Sequence, residues 1–178
     1  RAAQLLSVVA LQPEDAPRVR AAFARHHAAE PSRQRSWTCF FLARTLGKLR
    51  DAGSVEVLRA TLEKDPNEAA FGIPDPPNVF LHNAMTPLYR AAAADALGRI
   101  GARGAVPALL ATVSDFGNAM DVRQAAAGAL RALADPASLS ELAKVADSYP
   151  EVTTQVTLWE ACAAAKRGAE GVSVARPQ

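Results

Sequence analysis

The chain has 178 residues, which is enough for one sizeable domain. Its formal net charge of +2 is too small to favour nucleic acid as its partner. Its hydrophobic content of 49% is inflated by alanine, and only 6% of the residues are aromatic, a composition that suits closely packed helices. No apolar run approaches the roughly 18 residues that a membrane helix requires, so the sequence predicts no membrane span.

The first third of the chain reads as alternating helices and turns. The predicted order is a helix over 1–11, a turn at 13–15, a helix over about 16–28, a helix over 32–49 and a helix over 54 to about 64. Ser32 and Ser54 are predicted to cap the last two helices, because a serine hydroxyl can accept a hydrogen bond from a free backbone N–H at a helix start.

An insertion over about 65–86 follows and has no helical period. It holds four prolines, which argue against a long regular helix, yet it is too apolar for a freely solvated linker. Long loops inside compact domains are usually functional or disordered. One interpretation is a partner-binding loop with Phe71, Phe80, His82 and Asn83 as candidate contacts. The alternative is that its aromatic side chains only plug the groove between repeats.

Helices resume in the C-terminal half. Thr86-Pro87 is predicted to open a helix that ends before Gly101, and its partner helix directs Val106, Leu109, Leu110 and Val113 inward. Asp121 is predicted to open the next helix, and Asp135-Pro136 to open the partner of that helix. The last predicted helix runs from Pro150 to about Lys166, and Gly168 stops it. Glycine and proline are expected between helices rather than within them. The repeat domain is predicted over 1–168, with a flexible tail over 169–178.

One apolar pattern recurs along these helices. Ala93, Ala94, Leu97 and Ile100 have the i, i+1, i+4, i+7 spacing of a single helical stripe. Counted from Leu97, equivalent positions are 8, 46, 130 and 162, so the successive steps are 38, 51, 33 and 32 residues. Such steps describe a repeat array with one insertion, whose fifth unit lacks a second helix and is predicted to be a terminal cap or a truncation.

The segments Ala96-Leu-Gly-Arg-Ile-Gly-Ala-Arg-Gly-Ala-Val-Pro-Ala-Leu-Leu110 and Asp121-Val-Arg-Gln-Ala-Ala-Ala-Gly-Ala-Leu130 resemble HEAT-like repeats, in particular the short bacterial type of phycobilisome lyases. The resemblance implies an all-α, right-handed solenoid of about five helix-pair repeats. It also implies that carboxylates and arginines repeated in register form ladders between neighbouring repeats. The residues concerned are Asp65, Asp115, Asp147, Arg90 and Arg123.

Nothing in the sequence indicates catalysis. The three histidines are not in a metal-ligand spacing, and no nucleophile motif or phosphate loop is present, so no catalytic, cofactor or metal residue is predicted. Cys39 and Cys162 lie three repeat steps apart, which at about 10 Å per helix layer is about 30 Å and beyond disulfide reach. Both are interpreted as small buried hydrophobic residues.

Charge is unevenly distributed. Residues 1–50 hold nine Lys or Arg against three acids, whereas 51–178 hold eleven against fifteen. On the helix that ends at Leu49, one face carries Arg33, Trp37, Arg44 and Lys48, which could grip a phosphate backbone or an acidic protein. The alternative is that Trp37 packs against the preceding repeat and the cations are ordinary solvated surface.

The favoured function is a non-enzymatic scaffold that binds another protein or a neighbouring domain of the same chain. Nucleic-acid binding, as in HEAT-like DNA glycosylases, is an alternative that the basic first third supports. A bilin lyase-type role is suggested by the resemblance alone. The chain begins at Arg1 without a Met, so a processed exported protein or a fragment stays open beside the favoured cytoplasm.

Overall fold

The computed structural model describes residues 4, 11–30, 32–63 and 88–174. Across these ranges every regular element is helical, which confirms the predicted all-α solenoid. The α-helices are α1 (Ala16–His27), α2 (Arg33–Leu49), α3 (Val55–Ala60), α4 (Leu88–Ile100), α5 (Val106–Ser114), α6 (Met120–Leu133), α7 (Leu139–Ser148) and α8 (Val152–Val174). The predicted helix over 1–11 and its stripe position Val8 lie outside the described residues. The right-handed twist and the count of about five repeats stay predictions.

The helices form two rows. The longer helices α2, α4, α6 and α8 pack side by side in chain order, and we call them the first helices. Each shorter helix packs against the first helix that follows it: α1 on α2, α3 on α4, α5 on α6 and α7 on α8. We call these the second helices. Because every unit buries its apolar side on its neighbours, the core runs through the whole stack.

The predicted apolar stripe forms this core. Leu46, Leu97 and Leu130 occupy equivalent positions and are at most 1% exposed. The predicted inward residues of α5 are also buried, namely Val106, Leu109, Leu110 and Val113. The stripe is therefore confirmed for α2, α4 and α6, whereas the equivalent Cys162 in α8 is only half-buried.

Each second helix begins with one turn of 3₁₀-helix. These turns span Pro13–Asp15, Ala52–Ser54, Arg103–Ala105 and Pro136–Ser138. The Ser54 hydroxyl donates to the Asp51 carbonyl at 2.7 Å instead of accepting from the helix, so its predicted capping role is wrong. The Ser32 cap is confirmed, because its Oγ accepts from the Arg35 N–H at 3.1 Å.

Three first helices end in a left-handed residue that turns the chain toward the next helix. Gly101 has φ of 83° and ends α4 as predicted, whereas Arg50 and Ala134 adopt φ of 50° and 46° after α2 and α6. The predicted opening of α4 at Thr86-Pro87 lies outside the described residues. The opening of α6 differs slightly, since Asp121 lies in its first turn and the helix starts at Met120.

Glycines occur inside helices, contrary to the expectation from sequence. Gly168 lies within α8, which continues to Val174, so the predicted helix end near Lys166 is wrong. A Cβ at Gly168 would lie 3.2 Å from the Ala134 carbonyl oxygen, which shows that its small size permits close packing here. A glycine inside a helix costs about 1 kcal/mol, and packing along α8 offsets that cost. The domain over 1–168 with a flexible tail stays a prediction, although the helix crosses that boundary.

No helix in the described ranges combines the length and the hydropathy that a membrane crossing requires.

Candidate protein-binding surfaces

Half of the predicted contact residues belong to the insertion. Phe71, Phe80, His82 and Asn83 lie outside the described residues, as does the side chain of Arg33. Their roles therefore stay predictions. The remaining three, Trp37, Arg44 and Lys48, lie on α2.

Trp37 belongs to an aromatic cluster on α2. Its ring stacks on Phe41 at 5.7 Å between centroids and meets Phe40 edge-on at 5.7 Å. The Arg44 guanidinium lies 5.4 Å from the centre of the Phe40 ring, which brings the predicted tryptophan and arginine together through one shared aromatic. Arg44 and Lys48 are exposed and Trp37 is half-buried. Sequence reasoning missed the two phenylalanines, although the i+3 and i+4 spacing from Trp37 places them beside it on a helix.

Arg90 forms one rung of a ladder between repeats. Its guanidinium is almost fully buried and donates to the Leu62 carbonyl and to Asn118 Oδ1, the latter at 2.9 Å. Asn118 in turn donates to the Thr112 carbonyl at 3.0 Å. Because Leu62 follows α3 and Asn118 precedes α6, Arg90 at the start of α4 joins the repeats on both sides.

Arg123 repeats the arrangement one unit later. At the start of α6 it donates to the Phe116 carbonyl behind it at 3.4 Å and pairs with the Glu151 carboxylate ahead of it. Its guanidinium carbon also lies 5.1 Å from the centre of the Phe116 ring. Tyr149 packs on the same ring at 5.3 Å and donates from its hydroxyl to the Val113 carbonyl at 2.9 Å.

Arginine rungs between neighbouring repeats are present, as the resemblance implied. Among the described residues, Arg90 hydrogen-bonds to Asn118 and Arg123 to Glu151, each partner 28 residues further along. Asp115 instead accepts from the Gly117 N–H at 2.8 Å within its own turn. Asp147 is exposed, and Asp65 lies outside the described residues.

A cavity of about 280 Å³ opens between α3 and α5. Its floor consists of buried residues, namely Leu62, Arg90, Thr112 and Asn118, and its rim of exposed ones, namely Arg59, Glu63, Ala111 and Asp115. The rim carries both signs of charge, and Arg59 is paired with Glu56 at 2.6 Å. Sequence reasoning did not find this cavity, because its walls come from repeats that are distant in the chain.

A second hollow, of about 350 Å³, lies between α5 and α7. Its lining combines apolar and charged side chains, namely Pro107, Leu110, Ala111, Ser114, Glu141, Lys144 and Val145. Ala111 borders both hollows, so they adjoin along α5. We call this continuous surface of α3, α5 and α7 the second-helix groove.

The two cysteines are free thiols whose pKa values are raised. Burial raises the pKa of Cys39 to about 11, although the nearby Arg35 acts in the opposite direction. Burial is also the main cause that raises the pKa of Cys162, with Asp147 adding to it. Thiolate is the reactive form of cysteine, so both thiols are poor nucleophiles at neutral pH. Among the described residues, no group of His, Cys, Asp or Glu could hold a metal ion.

The family model for HEAT repeats matches residues 79–159 of the chain. This match covers α4 to α7 and the start of α8, where the arginine ladder and the stacked first helices are found. Among curated proteins, none matches the chain. The resemblance to HEAT-like repeats that Asp121–Leu130 indicated is therefore confirmed over residues 79–159.

Proposed function

We propose that the chain is a non-enzymatic scaffold that binds another protein, or a neighbouring domain of its own chain, through the second-helix groove and the insertion beside it. HEAT repeats generally serve as protein-interaction scaffolds. The observation that carries the proposal is the lining of the α3–α5 cavity, because Glu63 and Arg90, described residues before and after the insertion, both contribute to it.

Described residues on both sides of the insertion in the sequence line that cavity. Glu63, the last described residue before it, lies on the rim, and Arg90, in the first turn after it, lies on the floor. A segment anchored at both ends beside a hollow can supply side chains to a partner that enters the hollow. Phe71 and Phe80 provide the apolar area for such a contact, and prolines reduce the entropy that the segment loses on ordering.

The chemistry of the groove suits a polypeptide. Arg59 and Lys144 alternate with Glu63, Asp115 and Glu141 along it, while Leu110 and Val145 supply apolar contacts. A surface that grips a phosphate backbone needs an excess of cations. Residues 51–178 instead hold eleven basic against fifteen acidic residues, which favours a protein partner for this face.

The packed repeats also favour affinity. Binding surfaces that are already ordered lose little conformational entropy when a partner docks. The arginine rungs at Arg90 and Arg123 join successive repeats, so the second helices present their groove in a defined arrangement.

The test begins by identifying the partner. A photo-crosslinking amino acid at Ala111, which borders both hollows, captures the bound protein, and calorimetry with that purified protein then measures affinity. Ala111→Arg should weaken binding by about tenfold or more by filling the groove. Ala132→Arg is the matched control, because Ala132 is also exposed but lies on the first helix α6.

A second variant separates the insertion from the groove. Replacing 67–84 with a short Gly/Ser linker should abolish binding and leave the helical circular dichroism signal unchanged. Loss of the fold would make the insertion a structural plug. Unchanged affinity in both variants would overturn the proposal and direct attention to the α2 face with Trp37, Arg44 and Lys48.

Strongly salt-dependent binding of that face to duplex DNA would instead support the nucleic-acid alternative.

A further inference from the structure

The two hollows of the second-helix groove are built from equivalent positions of successive repeats. One wall of the α3–α5 cavity comes from Ala108, Ala111 and Thr112 of α5. Adding the step of 33 residues between Leu97 and Leu130 to each position gives a wall of the α5–α7 hollow, namely Glu141, Lys144 and Val145. The walls that α5 and α7 contribute therefore correspond residue by residue.

The opposite walls correspond as well. Arg59 and Glu63 line the α3–α5 cavity, and the step of 51 residues that spans the insertion turns them into Leu110 and Ser114, which line the α5–α7 hollow. Both walls thus repeat together. The second hollow is the first one displaced by one repeat along the stack.

This displacement limits the shape of a chain that can use both hollows at once. Packed helices lie about 8–10 Å apart, so neighbouring hollows are separated by a similar distance. A polyproline II segment has three residues per turn and rises about 3.1 Å per residue, which places every third side chain on one side at intervals of about 9.3 Å. A β-strand repeats on one side at about 6.6 or 13 Å and does not match.

The polar rim distinguishes a polyproline II segment from a helix. A helix lying across the groove would repeat on one side at about 10.5 Å, which is also close to the helix spacing, but its backbone groups are already hydrogen-bonded. A polyproline II backbone has no internal hydrogen bonds. Exposed donors and acceptors that can bond to it border the two hollows, namely Arg59, Glu63, Ser114, Glu141 and Lys144.

The charge of the rim indicates the sign of the partner. Three carboxylates, those of Glu63, Asp115 and Glu141, border the hollows together with the cations Arg59 and Lys144. Arg59 is already paired with Glu56 at 2.6 Å. The rim therefore has an excess of negative charge, and opposite charges across an interface favour association.

We propose that the second-helix groove binds a basic, proline-rich segment in the polyproline II conformation, with apolar side chains three residues apart in its two hollows. This inference rests on the proposed function and names the chemistry of the partner. Prolines order such a segment before it binds, so it loses less conformational entropy on docking. The small side chain of Ala111, which borders both hollows, leaves room for the segment to cross α5.

Synthetic peptides test the spacing. Three fluorescein-labelled peptides each carry two leucines in a background of proline and lysine, with the leucines two, three or four residues apart, and a fourth peptide carries a single leucine. Fluorescence anisotropy with the full chain measures each affinity. The peptide with leucines three residues apart should bind about tenfold or more tightly than the others. Equal affinities, or no binding of that peptide at about 1 mM chain, overturn the proposal.

Variants that narrow one hollow at a time test the two anchor sites. Ala108→Leu narrows only the α3–α5 cavity and Ser114→Leu only the α5–α7 hollow. Each should lower the affinity of the three-residue peptide to about that of the single-leucine peptide. Ala132→Arg, on α6, should leave it unchanged. Circular dichroism verifies that every variant is folded, and folded variants that bind like the wild type overturn the proposal.

Charge is tested by removing two carboxylates of the rim. Glu63→Gln combined with Glu141→Gln should weaken binding of the three-residue peptide and reduce the dependence of its affinity on salt. An affinity and a salt dependence equal to those of the wild type would contradict a basic partner.

The protein captured by crosslinking at Ala111 separates this inference from the proposed function. If Ala111→Arg weakens its binding but proline substitutions in the crosslinked segment abolish binding, the partner docks as a helix. The polyproline II proposal is then overturned while the scaffold function stands. If Ala111→Arg and replacement of the insertion both leave the affinity of that protein unchanged, the proposed function itself fails.

Discussion

Gly98 lies so close to Ala129 that a Cβ on Gly98 would come within 2.9 Å of the Ala129 Cα. The same relation joins Gly47 to Ala96 one repeat earlier. Backbone therefore meets backbone at equivalent positions of α2 with α4 and of α4 with α6. The separation of these first helices is set by the absence of one methyl group.

Gly98→Ala should lower the free energy of unfolding by about 1–3 kcal/mol, because the added methyl group forces two helix backbones apart. This loss should exceed the gain of about 1 kcal/mol from the better helix propensity of alanine. Gly128→Ala is the matched control in the neighbouring helix. A Cβ there meets nothing within 4 Å, so it should stabilise the domain by about 1 kcal/mol. Urea denaturation measures the change in the free energy of unfolding for both variants. If Gly98→Ala and Gly128→Ala changed it in the same direction, the close contact at Gly98 would be contradicted.

Leu97→Asp and Leu130→Asp should each unfold the domain. Both leucines are at most 1% exposed, and an aspartate there would be an unpartnered charge in the core between repeats. A loss above about 4 kcal/mol is comparable with the whole stability of many domains. Arg99→Asp should be mild, because Arg99 is exposed: the variant exchanges its solvent-exposed pair with Asp95 at 2.7 Å for a repulsion between two exposed carboxylates, each a small effect. If the leucine variants and the Arg99 variant melted at similar temperatures by circular dichroism, the assignment of Leu97 and Leu130 to the core between repeats would be wrong.

Arg90→Met should destabilise the domain by about 2–4 kcal/mol, since the buried Leu62 carbonyl and Asn118 side chain each lose a donor at about 1–3 kcal/mol per group. The comparison is Arg131→Met, which removes the pair with Glu160. Both of those side chains are about half exposed, so the loss should stay below about 1 kcal/mol. Chemical denaturation distinguishes the two, and a mild Arg90 variant would mean that the rung does not hold the repeats together.

Cys39 should react slowly with thiol reagents at pH 8 and rapidly after unfolding, because burial raises its pKa from 9.0 to about 11. The folded state then holds its proton more tightly than the unfolded state does. The resulting stabilisation is fully present below pH 9 and is lost as pH rises toward 11. Cys39→Ala should therefore flatten the fall in stability between these pH values. An unchanged slope in urea titrations, or fast labelling of the native protein, would contradict the burial of this thiol.

Helix positions were predictable because their signal is local. The spacing of Ala93, Ala94, Leu97 and Ile100 places four apolar side chains on one stripe whatever surrounds the helix. The left-handed end at Gly101 was predictable for a similar reason, since glycine adopts positive φ at little cost. Ala134 and Arg50 adopt the same positive φ although they are not glycines. They do so because the chain must turn toward the next helix at the equivalent position of each repeat.

The candidate sites were less predictable. Arg90 and Arg123 stood out by their repetition, but Asn118 and Glu151 are 28 residues away and share no residue type. Their pairing depends on how far one repeat is displaced from the next. The basic face of α2 was visible from helical spacing, whereas the second-helix groove requires three helices from different repeats to lie side by side.

The sequence by itself determined the all-α repeat architecture, because the i, i+1, i+4, i+7 stripe can be buried only by stacking similar helices. The tertiary structure decided the features that depend on distances between helices. It placed Gly168 inside α8, where the helix packs against the turn after α6, and it gave Gly98 a role as a contact. It also left Trp159 exposed at a position that is buried in the preceding first helices. The physical reason is that a side chain's role in a stack depends on what packs against it, and the identity of that neighbour is not encoded in the local sequence.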